Sequence, residues 1–529
     1  MRPLAFLILG LALSTTAPAQ TGEVARIIDE GMNRSQVALT AHELVDGIGA
    51  RLTNSPRMRQ AEAWAVRRFD ELGLSNVRKE GFTFGRGWEI VDSEVEMTAP
   101  RRLELTAIPV AWTPGTNGPL EAPVIVAPIE EKQDFAAYRG KLRGKIVMIS
   151  LPGTGDEPDK PAFRRLTASE LSDLDNYPVP SFDPDALGET IKRSAFAREL
   201  EEFLAAEGAL AWARISYRDG KLVHGAGYRF GRSDTPKLPG IEIAAEDYRR
   251  LARLAKTGPA PVLKVDSRVR WSDEDPNAYN ILADIPGSDA RAGYVMAGAH
   301  FDSWAAGDGA VDNGAGSVVV MEAARILRTL GRPKRTIRFA LWGAEEQGLI
   351  GSLNYIDRHF ASRGNFDLSS SEGRARWRYA YPVTPRPDHG QLKAYFNMDN
   401  GSGRFRGIYA EGNSAAAKLL GQWLQPFAAM DADRVVARST GGTDHVYMQA
   451  VGLPAFQFVQ DPLDYSARLH HTNIDTFDHL RIDDLRQAAV VMAGMLWQAA
   501  NSDETLPRQP VPAQPAVTDP FKYEYPKED

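Results

Sequence analysis

Ten side chains between positions 300 and 471 have the chemistry for a reactive centre: His300, Asp302, Asp312, Glu345, Glu346, Asp399, Asp444, His445, His470 and His471. The 529-residue chain contains no cysteine. Disulfides, thiol catalysis and thiolate metal sites are therefore excluded, and any metal must be held by imidazole and carboxylate. That donor set suits zinc or manganese, and with open coordination positions it suits a catalytic site. Two ions would need a bridging carboxylate, and a short acid at a helix start, such as Asp312, can reach both. Water held between two cations has its pKa lowered from about 15.7 toward about 7. A neighbouring carboxylate would take its proton.

These residues follow predicted strands. Tyr294 to Ala299, Thr336 to Trp342, Leu392 to Met398 and Pro454 to Val459 are short, β-rich apolar runs. His300 and Asp302 follow the first run, Glu345 and Glu346 the second, and Asp399 the third; His471 lies in the loop beyond the fourth. Ligands of open α/β sheets collect at the carboxyl ends of the strands, so residues far apart in sequence can converge there. Taken singly, each has a plainer role. Asp312 would cap the helix after it, Glu345 and Glu346 would be solvated loop charge, Asp399 before Asn400-Gly401 would be a turn residue, and His470-His471 would be surface polarity. The plain roles do not explain why imidazoles and carboxylates gather at strand ends, and a metal site does.

The rest of the catalytic region alternates helix and strand, the pattern of an α/β layer fold with a mixed sheet flanked by helices. Gly22 to Leu72 reads as helices stopping at Gly73, Val318 to Leu330 as a helix closed by Gly331 with Pro333 beyond, and Ile482 to Ala500 as a last amphipathic helix. Between about Pro119 and Pro261 the texture changes: β runs at Val124 to Ala127 and Lys145 to Ser150 alternate with helices at Ser194 to Glu207 and Ala245 to Lys256. This predicts a β-rich insertion at 120–265, returning through the turn-rich Trp271 to Asn277 into a catalytic domain made of 20–119 and 266–500.

The stretches Gly298-Ala299-His300-Phe301-Asp302-Ser303-Trp304, Gly309-Ala310-Val311-Asp312-Asn313-Gly314 and Trp342-Gly343-Ala344-Glu345-Glu346-Gln347-Gly348 resemble the di-zinc exopeptidase family of glutamate carboxypeptidase and the transferrin receptor. Within it the chain is similar to the carboxypeptidase Q branch, down to Ser303-Trp304 and to Pro333-Lys334-Arg335-Thr336 before the strand leading to Glu345. The insertion, with Lys141 to Val147 and Leu238 to Ile241, resembles the protease-associated domain of such enzymes.

The resemblance implies two zinc ions, one held by His300 and Asp399, the other by Glu346 and His471, with Asp312 bridging them. It implies Glu345 as general base, Asp302 accepting from the second imidazole nitrogen of His300, and a cis peptide at Asp312-Asn313. Where the wider family has an oxyanion-stabilising Tyr before the last His, this chain has His470, which could polarise the substrate carbonyl instead. Thr443-Asp444-His445 matches a motif near the pocket. Asp444 or His445 would meet substrate or orient ligands, unless Thr443 or Asp444 simply caps a helix.

The substrate this implies is a short unblocked peptide, dipeptides above all. Within the same fold, an aminopeptidase, a glutaminyl cyclase-like enzyme and a non-catalytic receptor-like binding protein are the rivals; a dinucleotide site is disfavoured because Gly307 to Asp312 lacks the final glycine. A net charge of -7 gives no basic footprint for nucleic acid. Arg2, the apolar run Leu4 to Leu13 and Ala17-Pro18-Ala19 read as a signal peptide cleaved after Ala19, so the protein is expected to be exported, periplasmic or secreted. No membrane span is expected, and a homodimer is left open. The proline-rich 501–529 reads as a tail, extended or disordered from Leu506 on.

Overall fold

A computed structural model describes residues 17–155, 160–176 and 186–513. Residues 1–16, which make up most of the expected signal peptide 1–19, and the end of the tail, 514–529, lie outside the described residues.

Two eight-stranded sheets organise the chain. The first runs, edge to edge, Ser75–Thr83, Asn277–Ile285, Thr336–Trp342, Tyr294–His300, Leu392–Asn397, Ala455–Gln460, Phe405–Tyr409, Arg434–Val436. Its centre is parallel, with Tyr294–His300 between Thr336–Trp342 and Leu392–Asn397, and antiparallel strands flank it. The central strands are buried on both faces, which explains their nearly continuous apolar character. Successive side chains alternate between two cores. Val295, Ala297 and Ala299 join Ile337, Phe339 and Leu341 on one face. Met296, Ala340 and Trp342 face the other.

The first face is covered by helices Val37–Val45, Pro56–Glu71, Ala315–Arg328 and Ile482–Asn501. N-terminal residues such as Val24, Leu44 and Phe69 share that core with residues beyond 281, so the two halves of the predicted catalytic domain form one core. The second face carries Ile350–His359, Ser371–Tyr379 and His445–Gln449. The helix expected to reach Leu330 ends at Arg328, where the Thr329 side chain bonds the Ile326 carbonyl.

The second sheet runs Leu103–Glu104, Gly87–Ala99, Val262–Ser272, Leu120–Val126, Ile146–Met148, Ala211–Ile215, Gly240–Ile243, Ala107–Pro109. It extends beyond the predicted insertion at 120–265. Gly87–Ala99 pairs along its length with Val262–Ser272, so the chain enters and leaves this lobe on one long antiparallel ribbon. That pairing joins residues about 175 positions apart, which no local pattern reveals.

The tail also departs from expectation at its start. Leu506 is buried in the main core, the Pro507 carbonyl accepts from Asn413 Nδ2 at 2.7 Å, and Arg508 donates to the Leu392 carbonyl. Residues 502–513 form no helix or strand but pack on the lobe built around the first sheet. Among the described residues, no helix is long and apolar enough to cross a membrane.

Candidate metal centre

The sheet brings the predicted ligands to one edge. His300 ends its strand, Glu345 and Glu346 follow Trp342 by three and four positions, and Asp399 lies two beyond Asn397. Asp312 sits in the turn that enters helix Ala315–Arg328, and its peptide bond to Asn313 is cis. Ala344, immediately before Glu345, and His471 both hold left-handed backbone, at φ 55° and 65°. Non-glycine residues adopt that region rarely, and they do so preferentially at functional sites. Gly401, at φ 89°, leaves room for the Tyr465 side chain, whose Cβ and nearest ring atoms would lie 3.0 to 3.1 Å from an added Cβ. Behind Asp399 a buried relay fixes the strand ends. Trp342 Nε1 donates to the Tyr395 hydroxyl, Tyr395 to Asn397 Oδ1, Asn397 Nδ2 to Gln457 Oε1, and Gln457 Nε2 to the Asp399 carbonyl.

Asp312 lies between two imidazoles. Its Oδ1 is 3.3 Å from His300 Nε2 and its Oδ2 is 3.2 Å from His471 Nε2. Asp399 Oδ1 is 3.3 Å from His300 Nε2, and Glu346 Oε2 is 2.8 Å from His471 Nε2. Donors about 2.0–2.2 Å from a tetrahedral ion lie roughly 3.3–3.6 Å from one another, so most of these separations match ligands sharing a cation. Asp312 Oδ2, Glu346 Oε1 and Asp399 Oδ1 are buried without a hydrogen-bond partner. Buried charge of this kind is stable when it is paired or coordinates a metal, and the residues fit zinc in type, spacing and unmet demand.

Electrostatics follow from burial and proximity. Burial, reinforced by neighbouring carboxylates, raises Glu345 and Glu346 well above the ordinary range, against the pull of His300. Burial opposes charge on His300, but Asp399, Glu345 and Asp312 outweigh it and raise its pKa. Asp312 is lowered: burial pushes it up, and His300, His471 and His470 overcome that. Burial lowers His470 and His471.

Asp302 does a different task from the one predicted. The His300 Nδ1–H donates to the Asp302 main-chain carbonyl at 3.0 Å, which directs Nε2 toward Asp312 and Asp399, whereas the carboxylate oxygen is 3.8 Å away. The carboxylate instead accepts from Glu345 N at 3.0 Å, Glu346 N at 3.2 Å and Thr53 Oγ at 3.1 Å. It therefore holds the turn that carries both glutamates.

His470 lines the cavity, stacks on His471 with ring centroids 3.6 Å apart, and lies 3.8 Å from Asp312 Oδ2. Thr443 reaches the cavity wall, but Asp444 and His445 do not. His445 turns away, its Nε2 3.1 Å from Glu411 Oε1 in a fully buried pair. Asp444 is also fully buried; burial pushes it up to about 7, against His300 and Ser352. Contact of either with substrate is thus corrected, and so is the capping alternative, because neither Thr443 nor Asp444 caps helix His445–Gln449 by its side chain. Thr443 Oγ accepts instead from Asn397 Nδ2 at 3.0 Å.

Several site residues carried no sequence signal. Asp475 accepts from the Val311 and Asp312 amides at 2.7 and 3.2 Å and so aims Asp312. The fully buried Arg51 donates to the carbonyls of Phe301, Asp308 and Gly309. From the second lobe, Arg218 donates to the His470 carbonyl, and Tyr228 forms part of the cavity wall. The cavity, about 1430 Å³, lies between the lobes with Asp312, Glu345, Glu346, Asp399, His470 and His471 along one side. It exceeds the roughly 300–1,000 Å³ of ordinary ligand pockets, leaving room for a peptide.

The parallel centre of a mixed sheet, with imidazole and carboxylate converging at its carboxyl edge, builds a candidate metal centre, and the comparisons show what it is similar to. Residues 280–496 match the model of Peptidase family M28. The chain is similar to carboxypeptidase Q of Mus musculus, 26% identical over 88% of this chain and 86% of the mouse protein. A peptidase M28 precursor from Shewanella amazonensis superposes with a TM-score of 0.67 at 23% identity, covering 94% of this chain and 99% of the other. A zinc aminopeptidase from Bacillus subtilis superposes with a TM-score of 0.57 at 18% identity, covering 89% and 96%. The chain is a metallopeptidase of the exopeptidase kind, and zinc is its implied metal.

Proposed function

We propose that the protein is a di-zinc exopeptidase of short unblocked peptides, dipeptides above all. One ion would be held by His300 and Asp399, the other by Glu346 and His471, with Asp312 shared. The observation that carries this is Asp312, whose two oxygens face different imidazoles at 3.3 and 3.2 Å. Bound there, zinc would polarise the scissile carbonyl and acidify the attacking water. Glu345, whose Oε2 is 4.0 Å from His300 Nε2, is the general base. It takes one proton from the water as the C–O bond forms and gives it to the leaving nitrogen as the C–N bond breaks. Its raised affinity for a proton suits the carrying step. His470, kept neutral by burial, presents an N–H to the carbonyl oxygen.

The second sheet, in this reading, is the protease-associated domain, and the N-terminal segment directs export. The test is a library of free dipeptides and tripeptides, with an internally cleavable peptide blocked at both ends, incubated with zinc-loaded and chelator-treated protein and analysed by mass. Terminal cleavage of free peptides that depends on zinc supports the reading. Preferential cleavage of the blocked peptide, or ammonia release from N-terminal glutamine as the sole product, overturns it.

A further inference from the structure

Residues 506–510 cross the surface of the lobe built around the first sheet in a channel shaped for them. Pro507 and Pro510 fix φ and carry no amide donor, so the segment is held extended and loses little conformational freedom on docking. Leu506 is sunk in the main core, and Arg508 donates to the Leu392 carbonyl and lies 3.3 Å from His389 Nδ1. Gly452, at φ 78°, forms the channel floor: a Cβ there would lie 3.2 Å from the carbonyl oxygens of both Gln509 and Pro510.

Two contacts of this segment fall on one turn. Asn413 Nδ2 donates to the Pro507 carbonyl at 2.7 Å, and Gln509 Nε2 donates to the Glu411 carbonyl at 3.3 Å. Glu411 and Gly412 are both left-handed, at φ 55° and 70°. A non-glycine residue keeps that conformation only where its surroundings fix it. The buried Glu411 passes the constraint on, because its Oε2 accepts from Thr440 N at 3.0 Å.

Thr440 opens a loop with little packing of its own. Gly441, Gly442 and Thr443 follow it and line the cavity. Both glycines are exposed, and a Cβ added to either would meet nothing within 4 Å. Ahead of them Arg438 N donates to the Leu174 carbonyl at 2.9 Å, and beyond them Thr443 Oγ accepts from Asn397 Nδ2 at 3.0 Å. Between those ties Glu411 holds the main chain. Sparsely packed segments of this kind open at low free-energy cost, so an added hold changes their population of open states.

We infer that residues 506–510 are a positioning element for the cavity loop 440–443, acting through the turn 411–413. For what the loop does this rests on the exopeptidase reading, and it adds which distant segment sets the wall against which the peptide lies. With the segment in its channel the left-handed turn is locked and Glu411 is aimed at Thr440. Without it the turn relaxes and the loop loses its middle hold. No proposed metal ligand bonds to the segment or to the turn among the described residues, so zinc should stay and the change should fall on substrate binding.

The experiment is a cycle of three variants: the chain ending after Thr505, Asn413→Ala in the full chain, and the two combined. Each is zinc-loaded and assayed on alanyl-leucine with kcat and KM read separately, beside amide hydrogen exchange over residues 437–443. Each single variant should raise KM about 3- to 10-fold, the range for loss of one or two hydrogen bonds, keep wild-type zinc content and exchange faster at Thr440. The combined variant should match the shortened chain, because Asn413 acts through the Pro507 carbonyl, whereas independent structural effects would add. Loss of Leu506 lowers the melting temperature, and partial unfolding reduces kcat without moving KM; Asn413→Ala leaves Leu506 in the core and decides alone where the shortened chain does not fold. Unchanged KM and unchanged exchange in Asn413→Ala, or additive effects in the combined variant, overturn the inference while the exopeptidase reading stands. Absence of zinc-dependent hydrolysis by wild type overturns that reading, and the exchange measurement then decides whether the segment positions the loop.

Discussion

The turn holding Glu345 and Glu346 hangs on one buried carboxylate, and Asp302→Asn tests how much it matters. Asp302 accepts three hydrogen bonds, two of them from amides of the turn. Asparagine has one accepting oxygen. If that oxygen keeps Glu345 N, the new amide group must face Glu346 N–H, and two donors then oppose each other. Thr53 can rotate its hydroxyl to accept, but a main-chain amide cannot turn. One buried N–H is left unsatisfied, at about 1–3 kcal/mol, and the remaining bond loses its charge assistance, worth about 1 kcal/mol, so the local cost is about 2–4 kcal/mol. The protein can escape it only by moving the turn. A shift of about 1 Å at the reacting groups costs on the order of 100-fold in rate. We expect kcat for a zinc-dependent dipeptide substrate to fall about that much, with KM little changed and both metal ions retained, because no proposed ligand has been removed. Elemental analysis beside steady-state kinetics checks this. Wild-type kcat at full zinc loading would refute the bracing argument, and loss of one equivalent of zinc would show that the moved turn also carries Glu346 off its ion.

Glu345→Gln should keep its zinc and lose about 100- to 10,000-fold in turnover, whereas Glu346→Gln should lose an ion and regain part of its activity in excess zinc; the opposite metal contents would reverse the two roles. His445→Ala should lower the melting temperature, since it removes the buried imidazole beside the Glu411 carboxylate and leaves a cavity there, while kcat/KM at a temperature where the variant is folded stays within about threefold of wild type, because His445 does not reach the cavity lined by the metal ligands. Glu242, buried in the second lobe beside His224 and Arg214, is lowered from 4.5 to about 2 because those partners outweigh burial. A depressed carboxyl stabilises above its unfolded pKa, so its contribution of about 3 kcal/mol should be complete above about pH 5 and lost as pH falls from 4.5 toward 2. Thermal melts from pH 7 to 3 should show Glu242→Gln less stable than wild type at neutral pH and the gap closing on acidification; a constant gap would refute the assignment.

Alternation and apolar runs were enough to place the four central strands to within one or two residues, because strands buried on both faces leave no polar interruptions to confuse the reading. The ends of those strands then located His300, Glu345, Glu346 and Asp399. What could not be read had a non-local cause in each case. The ribbon of Gly87–Ala99 with Val262–Ser272 joins distant segments, and Gly87–Ala99 looked like part of the catalytic domain until its partner was seen. Ala344 and His471 take left-handed backbone without the glycine or asparagine that would announce it. Asp302 was given the wrong partner because its carbonyl and its carboxylate compete for the same neighbourhood, and only geometry decides between them. His445 was misplaced for a similar reason: its motif identifies the loop and leaves open which side of the loop meets the cavity.

The second lobe belongs to the site as well as covering it. The turn from Tyr465 to Asp475 carries His470 and His471, and Asp475 at its end orients Asp312. That turn is held from across the lobe boundary: Arg218 donates to the His470 carbonyl, Asn473 N to the Val223 carbonyl at 3.1 Å, and Val223 N to Asn473 Oδ1 at 2.9 Å. A displacement of this lobe would therefore move, through the His470–Asp475 turn, the residues proposed to hold the metal.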